Sequence, residues 1–447
     1  MTTSALETPT LEPASQGMKT FLTIWFGQLI STLGSGLTSF ALAVWIFDQT
    51  KQATPFALTV LFGNLPRILL LPVAGSLADR WNRRWVMILS DLGNALVTIS
   101  VILLLTLGDL QIWHIYIIVT LGSIFSAFQE PAYTASITML VPQKDLSRAN
   151  GMVQMVQAIE MVITPVLAGI LFVSIGLPGI LAIDFITFLI AVGTLLLVRI
   201  PQPKLTEQDK KKPSIWSDTV FGWNYLKARP GLFGLLWYFA MVNFLLNWST
   251  VLTGPMILSR FSASTLGTIQ MVVGIGMLAG GILSSVLKGP KKRITALLGF
   301  IGLALIGMIV AGLRPNAITT AAGFFWLMIF VPLASSSSQA VFQSKVAPDV
   351  QGRVFGIRSM ISRSVMPIAF LLAGPLADKI FGPLMDVNGA LANTFLGNLL
   401  GAGAGRGIGL MFVLSAVIGI LVTIIAYANP RIRNIDEELP NITVTPA

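Results

Sequence analysis

GSLADRWNRR, Gly75 to Arg84, sets an aspartate and three arginines within ten residues. An apolar run at about 54–77 leads into it and another at about 85–107 leads away. Each is close to the ~20 residues that a helix needs to cross a hydrocarbon core. A charged turn between two such runs is the bend of a membrane-spanning helical hairpin. Outward from this bend the pattern repeats, with apolar runs at about 21–47, 54–77, 85–107, 112–139, 148–174, 177–199, 232–258, 264–287, 293–313, 317–344, 353–377 and 407–428. These are twelve expected spans, the eleventh interrupted by Arg358 and Arg363.

Composition agrees. Of 447 residues 54% are hydrophobic and only 11% charged, with a mean hydropathy of +0.80. A soluble domain carries about 25% charged residues and seldom grows past ~250–300 residues. Soluble enzymes, nucleic-acid-binding domains and disordered scaffolds are thereby excluded. The chain has no cysteine, which rules out disulfides and thiolate metal sites, and its one histidine, His114, leaves little for zinc or acid–base work; neither a catalytic nor a metal site is expected. The first residues are polar, with Glu7 and Glu12 and no basic start, so they do not read as a signal peptide.

Charge placement gives the expected orientation. With the N-terminus inside, 21 of the 29 Lys and Arg fall in inner segments and five in outer loops, with Arg67, Arg358 and Arg363 inside spans. That bias follows the positive-inside rule and puts both termini in the cytoplasm. The net charge of +10 then needs no nucleic-acid partner, because basic inner loops face anionic lipid. The expected organisation is a cytoplasmic tail (1–20), a six-helix half (21–199), a cytoplasmic linker (200–231), a second six-helix half (232–428) and a cytoplasmic tail (429–447). The linker carries Pro201, Pro203, Pro213 and Lys210 to Lys212, with a short amphipathic helix around Ile215–Leu226. The outer loop at about 378–406 reads as a flexible connector. Its glycines (Gly401, Gly403, Gly405) lack the preceding strand and following lysine of a phosphate loop, and no Walker motif occurs. The fold class is therefore an all-α, polytopic membrane protein with twelve transmembrane helices in two six-helix halves, as many secondary transporters are built.

GSLADRWNRR resembles the signature G-x-L-a-D-R-x-G-R-R of the major facilitator superfamily. Gly75, Leu77, Ala78, Asp79, Arg80, Arg83 and Arg84 match, and Asn82 replaces the second glycine; Asn adopts glycine-like left-handed backbone more readily than other residues. The resemblance implies that Gly75, Asp79, Arg80, Arg83 and Arg84, with Asp91 one turn into the third span, form a conformational gate that steadies the outward-facing state. The equivalent GILSSVLKGPKKR, Gly281 to Arg293, is a worn copy with Ser285 in place of the aspartate. FQEPAYTASITMLVPQKDLSRANGMVQ (Phe128 to Gln154) and GRVFGIRSMISRSVMPIAFLLAGPLADKIFGPLM (Gly352 to Met385) resemble the macrolide-efflux and enterobactin-exporter branch. Thr164 to Gly169, TPVLAG, is similar to the antiporter motif G-P-x-x-G-G, with Thr164 and Ala168 replacing glycines.

Charges inside spans are functional candidates, because each costs about 2.5–3.5 kcal/mol at the bilayer centre on insertion scales. At 1.5 Å per residue, Arg67 and Glu160 fall near mid-depth, Glu130 toward the inside and Asp184 toward the outside. A proton carrier is a carboxylate whose charge is balanced between burial and a nearby cation. The candidates are Glu160, then Glu130, then Asp184, with Arg67 as a movable counter-ion. A structural ion pair near the inner gate is the competing reading for Glu130 and Asp91, and an interhelical polar contact for Asp184. Arg358 and Arg363 read as structural, snorkelling or meeting Asp79 across the halves. No acidic residue lies at mid-membrane in the second half, so any proton is carried by the first.

A polar face inside an apolar helix marks a cavity. Gln28, Thr32, Ser35 and Ser39 share one face of the first span; Asn243 and Asn247 do so in the seventh, and Gln339 follows four serines in the tenth. The superfamily resemblance implies that spans one, four, seven and ten line the cavity, which makes Gln28, Thr32, Ser35, Asn243, Asn247 and Gln339 the substrate-cavity candidates. The expectation is a monomeric alternating-access transporter of the inner (plasma) membrane, exporting an amphipathic small molecule against protons. It needs no cofactor, its energy coming from the proton gradient. A lysophospholipid or other lipid transporter and a solute importer are the alternatives. A membrane enzyme lacks its His, Cys or paired carboxylates, and a channel its charge ring.

Overall fold

A computed structural model describes residues 17–200, 215–287, 290, 292–347 and 350–438. Twelve helices in it are long and apolar enough to cross a membrane. They are α1 (Gly17–Thr50), α2 (Ala53–Arg80), α3 (Arg83–Thr106), α4 (Ile112–Leu140), α5 (Leu146–Ser174) and α6 (Gly176–Leu197), and, after the linker helix α7 (Ile215–Lys227), α8 (Pro230–Leu258), α9 (Ala263–Val286), α10 (Arg293–Leu313), α11 (Ala317–Lys345) and α12 (Gln351–Leu376). Short helices α13 (Gly382–Met385) and α14 (Phe395–Leu400) precede the last span, α15 (Arg406–Ala428). Large apolar side chains such as Leu103, Val173, Ile282 and Ile425 are exposed. On a soluble protein such a surface would be a liability; here it is the face offered to lipid.

The first half packs α1 on α6, α2 on α4, and α3 on both α4 and α6. The second repeats the scheme with α8 on α12 and α15, α9 on α11, and α10 on α11 and α15. Consecutive spans alternate direction, so one end of the molecule carries the start of α1, the linker helix and the end of α15. This is the linker end; the other is the distal end.

Arginines close the ends of two helices, α6 and α10, whose last carbonyls lack intrahelical partners. Arg84 donates from Nε to the Leu195 carbonyl and from Nη2 to that of Leu196, both at 2.8 Å, at the end of α6. Arg83 Nη1 instead donates to the Ala135 carbonyl, inside α4, at 2.9 Å, and its counterpart Arg293 reaches the Ala340 carbonyl, inside α11, at 3.4 Å. The worn second copy thus keeps the bond. Asn82 differs from expectation. It has φ −65° rather than a left-handed backbone, and its side chain caps α3 by accepting from the Arg84 and Trp85 amides. The site favours asparagine for its oxygen, the property that makes it a good N-cap.

The 378–406 segment also differs from a flexible connector. Met385 and Leu400 are fully buried in it, Arg260 donates to the Ala402 and Ala404 carbonyls at 2.7 Å, and Gly401, Gly403 and Gly405 all have positive φ, which glycine adopts without strain. Arg406 is buried, and its Nη2 donates to the Gly312 carbonyl at 2.5 Å and the Leu313 carbonyl at 3.2 Å, capping α10. Arg406→Met is expected to lower the melting temperature of the purified protein, by loss of charge-assisted bonds worth about 2–4 kcal/mol together. An unchanged melting temperature would deny the cap.

Candidate functional site: a cavity between the two halves

The halves touch chiefly along two helix pairs, α5 with α9 and α2 with α12, with smaller contacts of α8 on α1 and α2. The α5–α9 contact is built from small residues. A Cβ on Gly169 would meet the Ala263 carbonyl at 2.7 Å, and one on Gly274 the Met161 carbonyl at 2.9 Å; a Cβ on Gly267 would overlap the Pro165 carbonyl. Pro165 has no N–H, so the Met161 carbonyl has no helical partner, and Gly274 leaves room for the close approach that compensates. All these contacts lie from mid-depth to the distal end. The TPVLAG stretch is therefore an interface between halves.

The α2–α12 contact is a helix cap made across the halves. Asp378, just beyond α12, accepts from the Ala53 amide (2.8 Å), the Thr54 amide (2.7 Å) and the Thr54 hydroxyl (2.6 Å). The α2 helix has no side-chain cap of its own, since Gln52 makes no such bond. The first amides of a helix carry partial positive charge and want an anion. Sequence reasoning placed Asp378 in an outer loop and missed it. The signal was present: Gly374 to Lys379, GPLADK, repeats the pattern of Gly75 to Arg80, GSLADR.

Beneath these two contacts lies a cavity of about 840 Å³. Gln28, Thr32 and Ser35 line it, as do Arg67, Glu130 and Glu160. Arg67 donates to Glu130 Oε2 from Nη2 (2.5 Å) and from Nε (3.1 Å). Both side chains are about half exposed, 49% and 47%, so the pair is wet and able to separate. Glu160 has no ion pair among the described residues and is half-buried in the same wall. The structure thus brings three candidate charges together in one space.

Other candidates stand apart. Asp184 is 1% exposed; its Oδ2 accepts from Thr38 (2.8 Å) and Thr98 (3.2 Å), tying α6 to α1 and α3. Asp91 is 0% exposed and pairs with no arginine among the described residues. It accepts from Gln28 Nε2 at 3.1 Å and Gln129 Nε2 at 2.6 Å, and Gln129 also donates to Gln28 at 2.9 Å. Gln28 therefore links the cavity wall to a buried carboxylate. Gly75, Asp79 and Arg80 fall in the last turns of α2, and their side chains lie outside the described residues. Asn243 and Gln339 line a second, separate cavity of about 460 Å³ in the second half. Asn247 lines neither and donates to the Asn243 carbonyl at 2.8 Å.

Two six-helix halves around a polar, charged cavity at mid-membrane define a membrane transport protein rather than an enzyme. A model of the Major Facilitator Superfamily matches residues 24–371, and the chain belongs to that superfamily. It is 30% identical over 370 residues to macrolide efflux protein A of Streptococcus pyogenes, covering 80% of this chain and 90% of that one. It is 23% identical over 368 residues to the multidrug efflux pump Tap of Mycolicibacterium fortuitum, covering 80% and 89%. Among solved structures, a bacterial homolog of the human lysosomal transporter Spinster, inward-facing and unoccupied, superposes with a TM-score of 0.64 at 17% identity over 94% of this chain and 98% of that one.

Proposed function

We propose that this transporter exports amphipathic organic compounds in exchange for protons, by alternating access. On this reading the linker end is cytoplasmic and the protein is a monomer in the plasma membrane, its contacts in the described arrangement closing the outer end. The observation that carries the proposal is the unequal charge count in the cavity. One cation, Arg67, faces two carboxylates and pairs with Glu130. A lone cation cannot neutralise both, and an unpaired charge at membrane depth is costly. Glu160 is thus the group suited to hold a proton, and Arg67 can exchange partners when it is released. The macrolide-efflux and multidrug relatives support an amphipathic cargo, as do the apolar walls (Phe40, Phe56, Val156, Phe188) beside the neutral polar face of α1. No cofactor is required beyond the proton gradient.

The test is proton release from purified protein in weak buffer on addition of macrolides and amphipathic dyes. Glu160→Gln is expected to bind the same compounds and release fewer than half the protons of the parent. Binding by the parent with no proton release overturns the exchange mechanism. Full release from Glu160→Gln removes that residue from it.

A further inference from the structure

The second half holds an unassigned cavity with two arginines and no acid among the described residues that line it. It is about 460 Å³, within the range of roughly 300–1,000 Å³ usual for small-molecule pockets. No residue lines both it and the larger cavity. Phe355, Arg358, Ser359, Ser362 and Arg363 of α12 line it at spacings of three, one, three and one, which is one helical face. Arg358 does not snorkel to the membrane surface. Its Nη1 donates to Gln339 Oε1 at 3.1 Å and its Nη2 to the Ser338 hydroxyl at 2.9 Å, and its guanidinium lies 4.6 Å from the Phe342 ring centroid. These neutral partners orient the charge without neutralising it. Arg363, one turn further into the membrane, has no ion pair among the described residues.

The sequence of the second half makes the imbalance complete: α8 through α12 and α15 contain no aspartate or glutamate. Two guanidiniums at this depth need an anion, and the spans of this half supply none. The cavity is two-faced as well. The α10 helix gives only Ile301, Ala304 and Leu305, whereas both arginines and two of the three serines stand on α12.

From this the geometry points to a binding site for an anionic amphiphile: a phosphate or carboxylate headgroup between Arg358 and Arg363, its apolar chain against α10. Guanidinium forks suit the paired oxygens of such groups. The inference goes beyond the exchange mechanism, because it involves neither Glu160 nor the larger cavity.

The probe is decyl phosphate, titrated into the purified full-length protein in neutral maltoside detergent, with decyltrimethylammonium, decyl maltoside and inorganic phosphate as comparisons. Binding is followed by microscale thermophoresis and by thermal stabilisation. Decyl phosphate is expected to bind and stabilise, more weakly as salt rises, while the cationic and neutral decyl compounds do not. Arg363→Gln, an exposed position, is expected to weaken decyl phosphate at least about tenfold, and Arg358→Gln likewise. Arg358→Lys tests whether any loss at that position reflects the fork rather than unfolding, and is expected to retain part of the affinity. Equal binding of all three decyl compounds, or unchanged affinity in both glutamine variants, overturns the site. Inorganic phosphate binding as tightly as decyl phosphate overturns the amphiphile and leaves a free-anion site. Macrolide-induced proton release from the same preparation reports separately on the exchange mechanism, so either reading can fail alone.

Discussion

Asp378→Ala is expected to raise the ratio of distal-open to distal-closed molecules by several tens of fold. Three hydrogen bonds join this carboxylate to the start of α2. A bond to a charged group contributes roughly 1.5–3 kcal/mol net in a buried setting. Asp378 is only partly buried, and both partners regain water when the halves part. The three bonds together then amount to about 2–3 kcal/mol, within the usual range of coupling energies for conformational switches. A graded series separates the contributions. Thr54→Val removes the hydroxyl bond alone and is expected to shift the ratio only about fivefold. The chain has no cysteine, so spin labels at Leu107→Cys and Val387→Cys, exposed distal positions of opposite halves, report the opening directly by pulsed dipolar spectroscopy. An unchanged distance distribution in Asp378→Ala would show that the cap does not hold the distal end closed.

The same substitution bears on the resemblance between GPLADK and GSLADR. The superfamily motif implies that Asp79 steadies the outward-facing state, while Asp378 holds the opposite end shut in the described arrangement. Asp79 stands in the last turn of α2, at the linker end, and Asp378 just beyond α12, at the distal end, so Asp79→Ala and Asp378→Ala are expected to move the labels in opposite directions. A transporter cycling between two arrangements needs both latches to be breakable. This explains why the Asp378 latch is a helix cap of moderate strength and not a buried ion pair, whose rupture would cost about 3–5 kcal/mol.

What the sequence disclosed divides along a physical line. Helices that cross a membrane satisfy their backbone within themselves, so hydropathy alone located the twelve spans. Depth within a span is also local information, and it was enough to select Arg67, Glu130 and Glu160, which share one cavity. Properties that depend on a neighbouring helix were hidden. Nothing around Asp184 in sequence announces Thr38 and Thr98, and nothing near Asp91 announces that its partners are glutamines and not arginines. The Asp378 cap joins residues 325 positions apart. Arg358 and Arg363 showed as anomalies in an apolar run, but that no acid among the described residues lines their cavity required the packing of α8, α10 and α11 around α12.

The second large effect is expected at Gly267. Its Cα lies so close to the Pro165 carbonyl that any Cβ overlaps it, and the obstacle is backbone, which cannot rotate away as a side chain can. Overpacking a tight contact costs roughly 1–3 kcal/mol for small additions. Gly267→Ala is accordingly expected to favour separation of α5 and α9 by about five- to a hundredfold, and Gly267→Leu by more. The helix propensity gained on replacing glycine, about 1 kcal/mol, applies to both arrangements and cancels from their ratio. Folding is therefore expected to survive while the conformational balance moves. Gln157 supplies the readout, being an exposed residue of the cavity wall. In proteoliposomes, Gln157→Cys is expected to react with a membrane-impermeant thiol reagent only from the linker side, and from the distal side as well once Gly267→Leu is added. Because α5–α9 and α2–α12 are separate helix pairs, Gly267→Ala and Asp378→Ala are expected to add in free energy, giving a protein held distal-open whose transport fails although its cavity is intact. A double variant no more open than either single one would mean that one contact alone governs closure.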